Sequence, residues 1–186
     1  MSTLVESLDN AYEHAAKVVA GIDAGQLRLP TPCVQWDVRA TLGHLIGATW
    51  MFALVNQGQA VGEDAGGIVG DDPLAALTSA TESNIASWRA PGAFDGQRTF
   101  PFGSFPADAA AMMNLSEVVV HIWDIAIALG ADATIDPNIA AMLDEFYRSI
   151  SLDPYRAHGA FGPEILVDSS APPADRLLAR LGRRAV

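Results

Sequence analysis

The sequence predicts an all-α protein built as a four-helix bundle, with a short hairpin or extended insertion and a small C-terminal helix. Three observations carry that expectation. Long segments show apolar residues at helical spacing. Gly and Pro gather between those segments and not inside them. The stretch Asn114–Leu129, NLSEVVVHIWDIAIAL, is nearly all apolar and long enough for about four helical turns. A helix that is hydrophobic all round belongs in the middle of a protein.

Taken in order, Ser2–Ala20 places Leu4, Val5, Leu8, Ala11, Tyr12, Ala15, Val18 and Val19 on one helical face, with His14 on the polar side beside Ser7, Asn10 and Lys17. Residues 21–35 connect, punctuated by Gly21, Gly25, Pro30 and Pro32. Asp37 reads as the N-cap of a helix over Val38–Asn56. On it, Gly43 and Gly47 allow close approach of another helix, and small residues leave room beside His44. Residues 57–72 form a long Gly-rich loop. Asp71 or Asp72, followed by Pro73, opens a third helix to Arg89. Residues 90–106 break the pattern. Phe100, Phe102 and Phe105 there either cover a core edge or wall a pocket over the central helix. The central helix runs Ala107–Leu129 and stops at Gly130, a good residue for its C-terminal turn. Asp136-Pro137 opens another helix to Ile150, an irregular stretch follows through His158 and Pro163, and Pro172–Leu181 forms the last helix. Arg176, Arg180, Arg183 and Arg184 read as a solvated basic end that complements the helix dipole. There is no internal repeat, and 186 residues suit a single domain over 1–186.

Composition narrows the function classes. The net charge is −11, with pI near 4.5. That argues against general affinity for nucleic acid and for anionic membrane surfaces. Cys33 is the one cysteine, so an internal disulfide and a Cys-rich zinc site are excluded. The N-terminus lacks the basic and apolar regions of a signal peptide, and no uninterrupted apolar run reaches the length of about 18 residues that a membrane span needs. A cytoplasmic protein is expected.

The central helix carries an unexpected polar line. Glu117 and His121 lie roughly 40° apart, and Asp124 falls within roughly 20° of Glu117 on the other side. Asn114 extends the line by one turn. A buried carboxylate is costly unless it is paired, hydrogen-bonded or bound to a metal. Glu and His at i, i+4 can reach one metal ion together. His44 from a facing helix would supply a third ligand, as metal sites in bundles are made. Imidazole and carboxylate suit zinc, and also nickel, iron or manganese. Three protein ligands leave a position for water or substrate. Asp124, one turn on, would support a ligand or anchor a neighbouring helix. The alternatives stand beside this: Glu117 paired with Arg39 or Arg98, and His121 as a satisfied core histidine.

Pro30-Thr31-Pro32-Cys33, Trp36-Asp37-Val38-Arg39 and Leu42-Gly43-His44-Leu45, with Glu117-Val118-Val119-Val120-His121-Ile122-Trp123-Asp124, form an ordered, separated set of motifs. The tail motifs Phe161-Gly162-Pro163-Glu164 and Ala171-Pro172-Pro173-Ala174-Asp175-Arg176 continue it. Together they resemble actinobacterial DinB-like proteins, specifically the metal-binding domain of mycothiol-dependent maleylpyruvate isomerases and their short single-domain relatives. The resemblance implies a DinB-type four-helix bundle, often dimeric. It implies a divalent metal, usually zinc, at His44, Glu117 and His121, with water completing the site. It also implies activation of a low-molecular-weight thiol. The two-domain isomerases carry a further C-terminal domain for which this chain has no length.

The function expected is a metal-dependent, mycothiol-type S-transferase acting on a small electrophile, possible as a homodimer. Two alternatives stay open: a non-catalytic metal- or ligand-binding protein, and a metal-assisted hydrolase with Asp124 as its base. Cys33 is read as a small apolar filler.

Overall fold

The computed structural model describes residues 2–61 and 69–184, so the middle of the Gly-rich loop expected over residues 57–72 lies outside the described residues. Contacts divide the chain into two compact units, Met1–Ala133 and Thr134–Val186.

The first unit holds α1 (Ser2–Ala20), a 3-10 turn (Ala24–Arg28), α2 (Val38–Asn56), α3 (Pro73–Arg89), a hairpin of β1 (Gln97–Phe100) and β2 (Gly103–Pro106), and α4 (Ala107–Leu129). The four long helices coincide with the spans expected from apolar spacing. Each of α1 and α2 packs on both α3 and α4, so neighbours around the bundle run α1–α3–α2–α4. The steps from α1 to α2 and from α3 to α4 therefore cross the bundle, and both use long connections. The caps are those the sequence signals. Asp37 accepts from the Ala40 amide, and Asp72 from the Ala75 amide. Such a cap contributes about 1 kcal/mol. Gly130, at φ 64°, closes α4 in the left-handed conformation that glycine adopts without a Cβ penalty.

Every residue from Val118 to Ala126 is buried, which makes α4 a core helix and not a surface one. α2 is nearly as enclosed, with Leu42, Leu45, Ile46, Phe52 and Ala53 almost inaccessible. Side chains of this size contribute about 1.5–3 kcal/mol each on burial. By length and composition α2 and α4 would each suffice to cross a membrane; here each has most of its surface inside the bundle.

One polar network links all four helices. Tyr12 of α1 donates to the Thr49 hydroxyl of α2 (3.3 Å) and accepts from the Asn114 amide of α4 (3.2 Å). The Trp88 indole N–H of α3 donates to the Asn114 oxygen (2.8 Å). Asn84, also on α3, donates to the Thr49 carbonyl (2.8 Å). Buried polar groups need such partners, and apart from the Asn84 side-chain oxygen, which is buried without one among the described residues, the network is paired and fixes how the helices meet.

The hairpin pairs Gln97 with Pro106 through Phe100 with Gly103. Phe100 is buried and meets Phe52 of α2 edge-on at 5.0 Å. Phe52 lies eight residues beyond His44, about 12 Å along the helix. Arg98 ties the hairpin to Asn56 at the end of α2 and to nearby carbonyls, so its charge is spent away from Glu117.

The second unit contains α5 (Pro137–Arg148), α6 (Asp153–Ala157) and α7 (Pro173–Arg180), with α5 packed on α7. The basic end of the chain differs from the expectation of solvated charge. Arg176 and Arg180 each donate through Nε to Asp144 of α5, at 3.1 and 3.0 Å, and Asp144 is buried. A buried carboxylate between two guanidiniums is neutralised in place, and that is why the arginines turn inward. The chain also closes on itself at Gly182, where a Cβ would lie 2.6 Å from the Gly162 Cα.

Candidate metal centre

The site is assembled by the packing of α2 on α4. Glu117 and His121 are one turn apart on α4, and His44 faces them from α2. Glu117 Oε2 lies 3.0 Å from His44 Nε2 and 3.3 Å from His121 Nε2. The three candidate ligand atoms lie within 4.8 Å of one another. Donors about 2.0–2.2 Å from a tetrahedral cation sit about 3.3–3.6 Å apart, close to the two separations from Glu117, so the cluster has the donor chemistry for one divalent ion and needs only small side-chain shifts to close on it. Among the described residues it is the one group of three or more metal-capable side chains that converge.

Exposure is graded across the cluster. The His121 side chain is 11% exposed, Glu117 34% and His44 40%, so the site is closed at His121 and open along Glu117 and His44. Asp124 is fully buried beneath it. The N–H at His121 Nδ1 donates to Asp124 Oδ2 at 3.3 Å, which fixes the ring and leaves Nε2 directed at Glu117. A carboxylate behind a histidine ligand in this way raises its basicity and sets its orientation.

The electrostatics follow from the same contacts. Burial disfavours the charged His121, but its hydrogen bonds to Asp124 and Glu117 and their charges prevail and push it up to about 9. Burial would raise the Glu117 carboxyl; hydrogen bonds from His121 and His44, and their charges, instead hold it well below the usual carboxylate range. The pocket between α2 and α4 is thus built for positive charge. Without a cation, a proton on His121 supplies it.

The structure brings together His44, Glu117, His121 and Asp124. Asn114 extends the polar line, yet its side chain is committed to Tyr12 and Trp88. Arg39 is exposed, and the Glu117 pairing weighed for it and for Arg98 goes to the two histidines instead. Trp123 is buried, as a core residue should be. Cys33 is half-buried and is not among the three converging donors. The space expected beside His44 is partly filled by Trp36, whose ring centroid lies 4.6 Å from that of His44 and 5.7 Å from that of His121. Periodicity gives no hint of this, because Trp36 stands outside any helix.

Comparison with known proteins adds three findings. The family model described as the mycothiol maleylpyruvate isomerase N-terminal domain matches residues 8–126, more than half of the chain and the whole of the cluster. Two uncharacterised proteins of Mycobacterium tuberculosis, one from each of two strains, are 28% identical over 179 residues, covering 93% of this chain and 93% of theirs. The crystal structure of the mycothiol-dependent maleylpyruvate isomerase superposes with a TM-score of 0.61 at 16% identity, over 77% of this chain and 67% of that one. At that identity the likeness is one of fold.

Proposed function

Because the chain belongs to the mycothiol maleylpyruvate isomerase N-terminal domain family, we propose that it is a divalent-metal-dependent S-transferase that joins a mycothiol-type thiol to a small electrophile. The observation that carries the reading is the convergence of His44 Nε2, Glu117 Oε2 and His121 Nε2 from two helices. These residues would hold the ion, with zinc favoured and nickel compatible by donor type. A bound divalent cation lowers the pKa of a thiol at its open position, as it does for water.

The chain's own groups supply the rest. Asp124 keeps the His121 ring in one tautomer and one orientation. Glu117 contributes the one negative charge among the three donors, so a divalent ion held there keeps net positive charge. The exposed edge at His44 and Glu117 gives access, while His121 and Asp124 form the buried floor. In the net reaction the thiol loses its proton, the sulfur bonds to the electrophilic carbon, and the leaving group departs with its electron pair. A cytoplasmic homodimer fits this reading.

The test begins with elemental analysis of the wild type and of His44→Ala, Glu117→Ala and His121→Ala. The expected result is near one metal per chain, lost in each variant, followed by thiol consumption against a panel of electrophiles. A wild type that stays metal-free after reloading with zinc and with nickel overturns the proposal. Metal and thiol binding without turnover overturns the transferase assignment and leaves a metal-dependent thiol-binding protein.

A further inference from the structure

The two histidines of the cluster are held by different means. His121 has Asp124 behind its Nδ1. His44 spends Nε2 on Glu117, and no described residue hydrogen-bonds its Nδ1. What His44 has instead is the indole of Trp36, tilted by 38° at 4.6 Å between ring centroids. That is within the range of a direct aromatic contact. The same indole reaches His121 at 5.7 Å, so one ring covers both imidazoles.

The indole is delivered by a built strap. Pro30 and Asp37 form an isolated antiparallel bridge, and the Val38 amide donates to the Leu29 carbonyl. Inside the strap, the buried Thr31 gives both its amide and its hydroxyl to the Trp36 carbonyl, at 3.3 and 2.9 Å. The Thr31 hydroxyl also accepts from the Cys33 amide, and the Trp36 amide donates to the Cys33 carbonyl. Thr41, on the first turn of α2, donates to the Asp37 carbonyl and touches the Thr31 hydroxyl at 3.4 Å. The strap is thereby locked to the helix that carries His44. None of these bonds uses the indole itself, so the strap can hold its shape while the ring is changed.

We propose that Trp36 is the positioning residue for His44, doing by ring packing what Asp124 does for His121 by a hydrogen bond. The inference rests on the metal reading of the cluster. A half-exposed histidine must otherwise give up rotamer freedom when it becomes a ligand, and the indole removes that freedom in advance. An imidazole bound to a cation is electron-poor, and the face of a tryptophan is the best aromatic partner for positive charge.

The test uses the full-length protein with cobalt(II) as the probe, in the wild type, Trp36→Phe, Trp36→Leu and Asp124→Asn. Leucine fills space without a π face; phenylalanine keeps the face. Trp36→Leu is expected to bind cobalt about 10- to 100-fold more weakly, the loss typical of removing a ligand-orienting group, and to alter the visible spectrum of the bound ion. Trp36→Phe is expected to retain the wild-type spectrum and most of the affinity. Far-UV circular dichroism of the metal-free proteins shows whether the fold is kept. If Trp36→Leu does not fold, tryptophan emission decides: cobalt should quench the wild type more than Trp36→Phe. Wild-type affinity and spectrum in folded Trp36→Leu, or equal quenching in wild type and Trp36→Phe, overturns the inference while leaving the metal site intact. A wild type that binds no cobalt removes the metal reading itself, and this inference with it.

Discussion

Loading the metal-free protein with zinc at pH 7 is expected to expel a proton from His121. An ordinary histidine titrates near 6.5, and the contacts with Asp124 and Glu117 push this one up to about 9. Two pH units below that value the ring is about 99% protonated, and its Nε2 is the atom that faces the candidate ion. Ligation needs the neutral ring, so close to one proton should leave His121 for each ion bound. The apparent affinity should then improve about tenfold per pH unit from pH 7 and flatten above about pH 9.

The same shift sets the stability of the metal-free form. The folded value lies above the unfolded one, so the stabilisation is fully present below about pH 6.5 and is lost as pH rises through about 9. A shift of about 2.5 units corresponds to at most about 3 kcal/mol. Glu117 has the opposite sign: its contribution is present above the ordinary carboxylate range and is lost on acidification. Calorimetric titration at pH 7 in buffers of different ionisation enthalpy counts the protons. Asp124→Asn should lower the count and move the plateau to lower pH. Tight zinc binding with no proton released at pH 7 would refute the reasoning, since His121 would then be neutral before the ion arrives.

Three further outcomes are expected. Tyr12→Phe removes the hydroxyl shared by Thr49 and Asn114 and should cost about 1–3 kcal/mol in urea denaturation. Gly182→Ala forces a Cβ to 2.6 Å from the Gly162 Cα at φ +82°, and should cost about 2–4 kcal/mol, read as a lowered melting temperature. Asp144→Ala leaves Arg176 and Arg180 facing each other without their shared carboxylate. Because both arginines keep some contact with solvent, the expected loss is about 2–3 kcal/mol, checked by thermal unfolding of the full-length protein.

The long helices were legible because α1 and α3 repeat apolar residues at the helical period, α2 and α4 are long and largely apolar, and Asp, Pro or Gly stands at their ends. α6 was not: it has five residues and buries none of them, so it has no apolar pattern to detect. The 3-10 turn at Ala24–Arg28 was hidden for a similar reason, with Leu27 its one buried residue. The inward turn of Arg176 and Arg180 depends on a carboxylate more than thirty residues away, and a local reading of charge sees only the helix end. In the site, the Glu117–His121–Asp124 line follows from helical geometry alone. The partnership with His44 came from the logic of facing helices and from family resemblance. Trp36 escaped because its place is set by threonine and backbone hydrogen bonds, which leave no periodic trace.

His44 and Glu117 are 73 positions apart in the chain, and they meet only when α2 docks on α4. Of the three converging donors, an unfolded chain keeps only Glu117 and His121 near each other, in an unfixed arrangement. On the proposed reading, metal therefore binds the native state almost exclusively and draws the folding equilibrium by mass action. Free metal at a hundred times the dissociation constant adds about 2.7 kcal/mol. Starved of the ion, the same chain would spend more time open to proteolysis, so its cellular level should track metal supply even when no substrate is present.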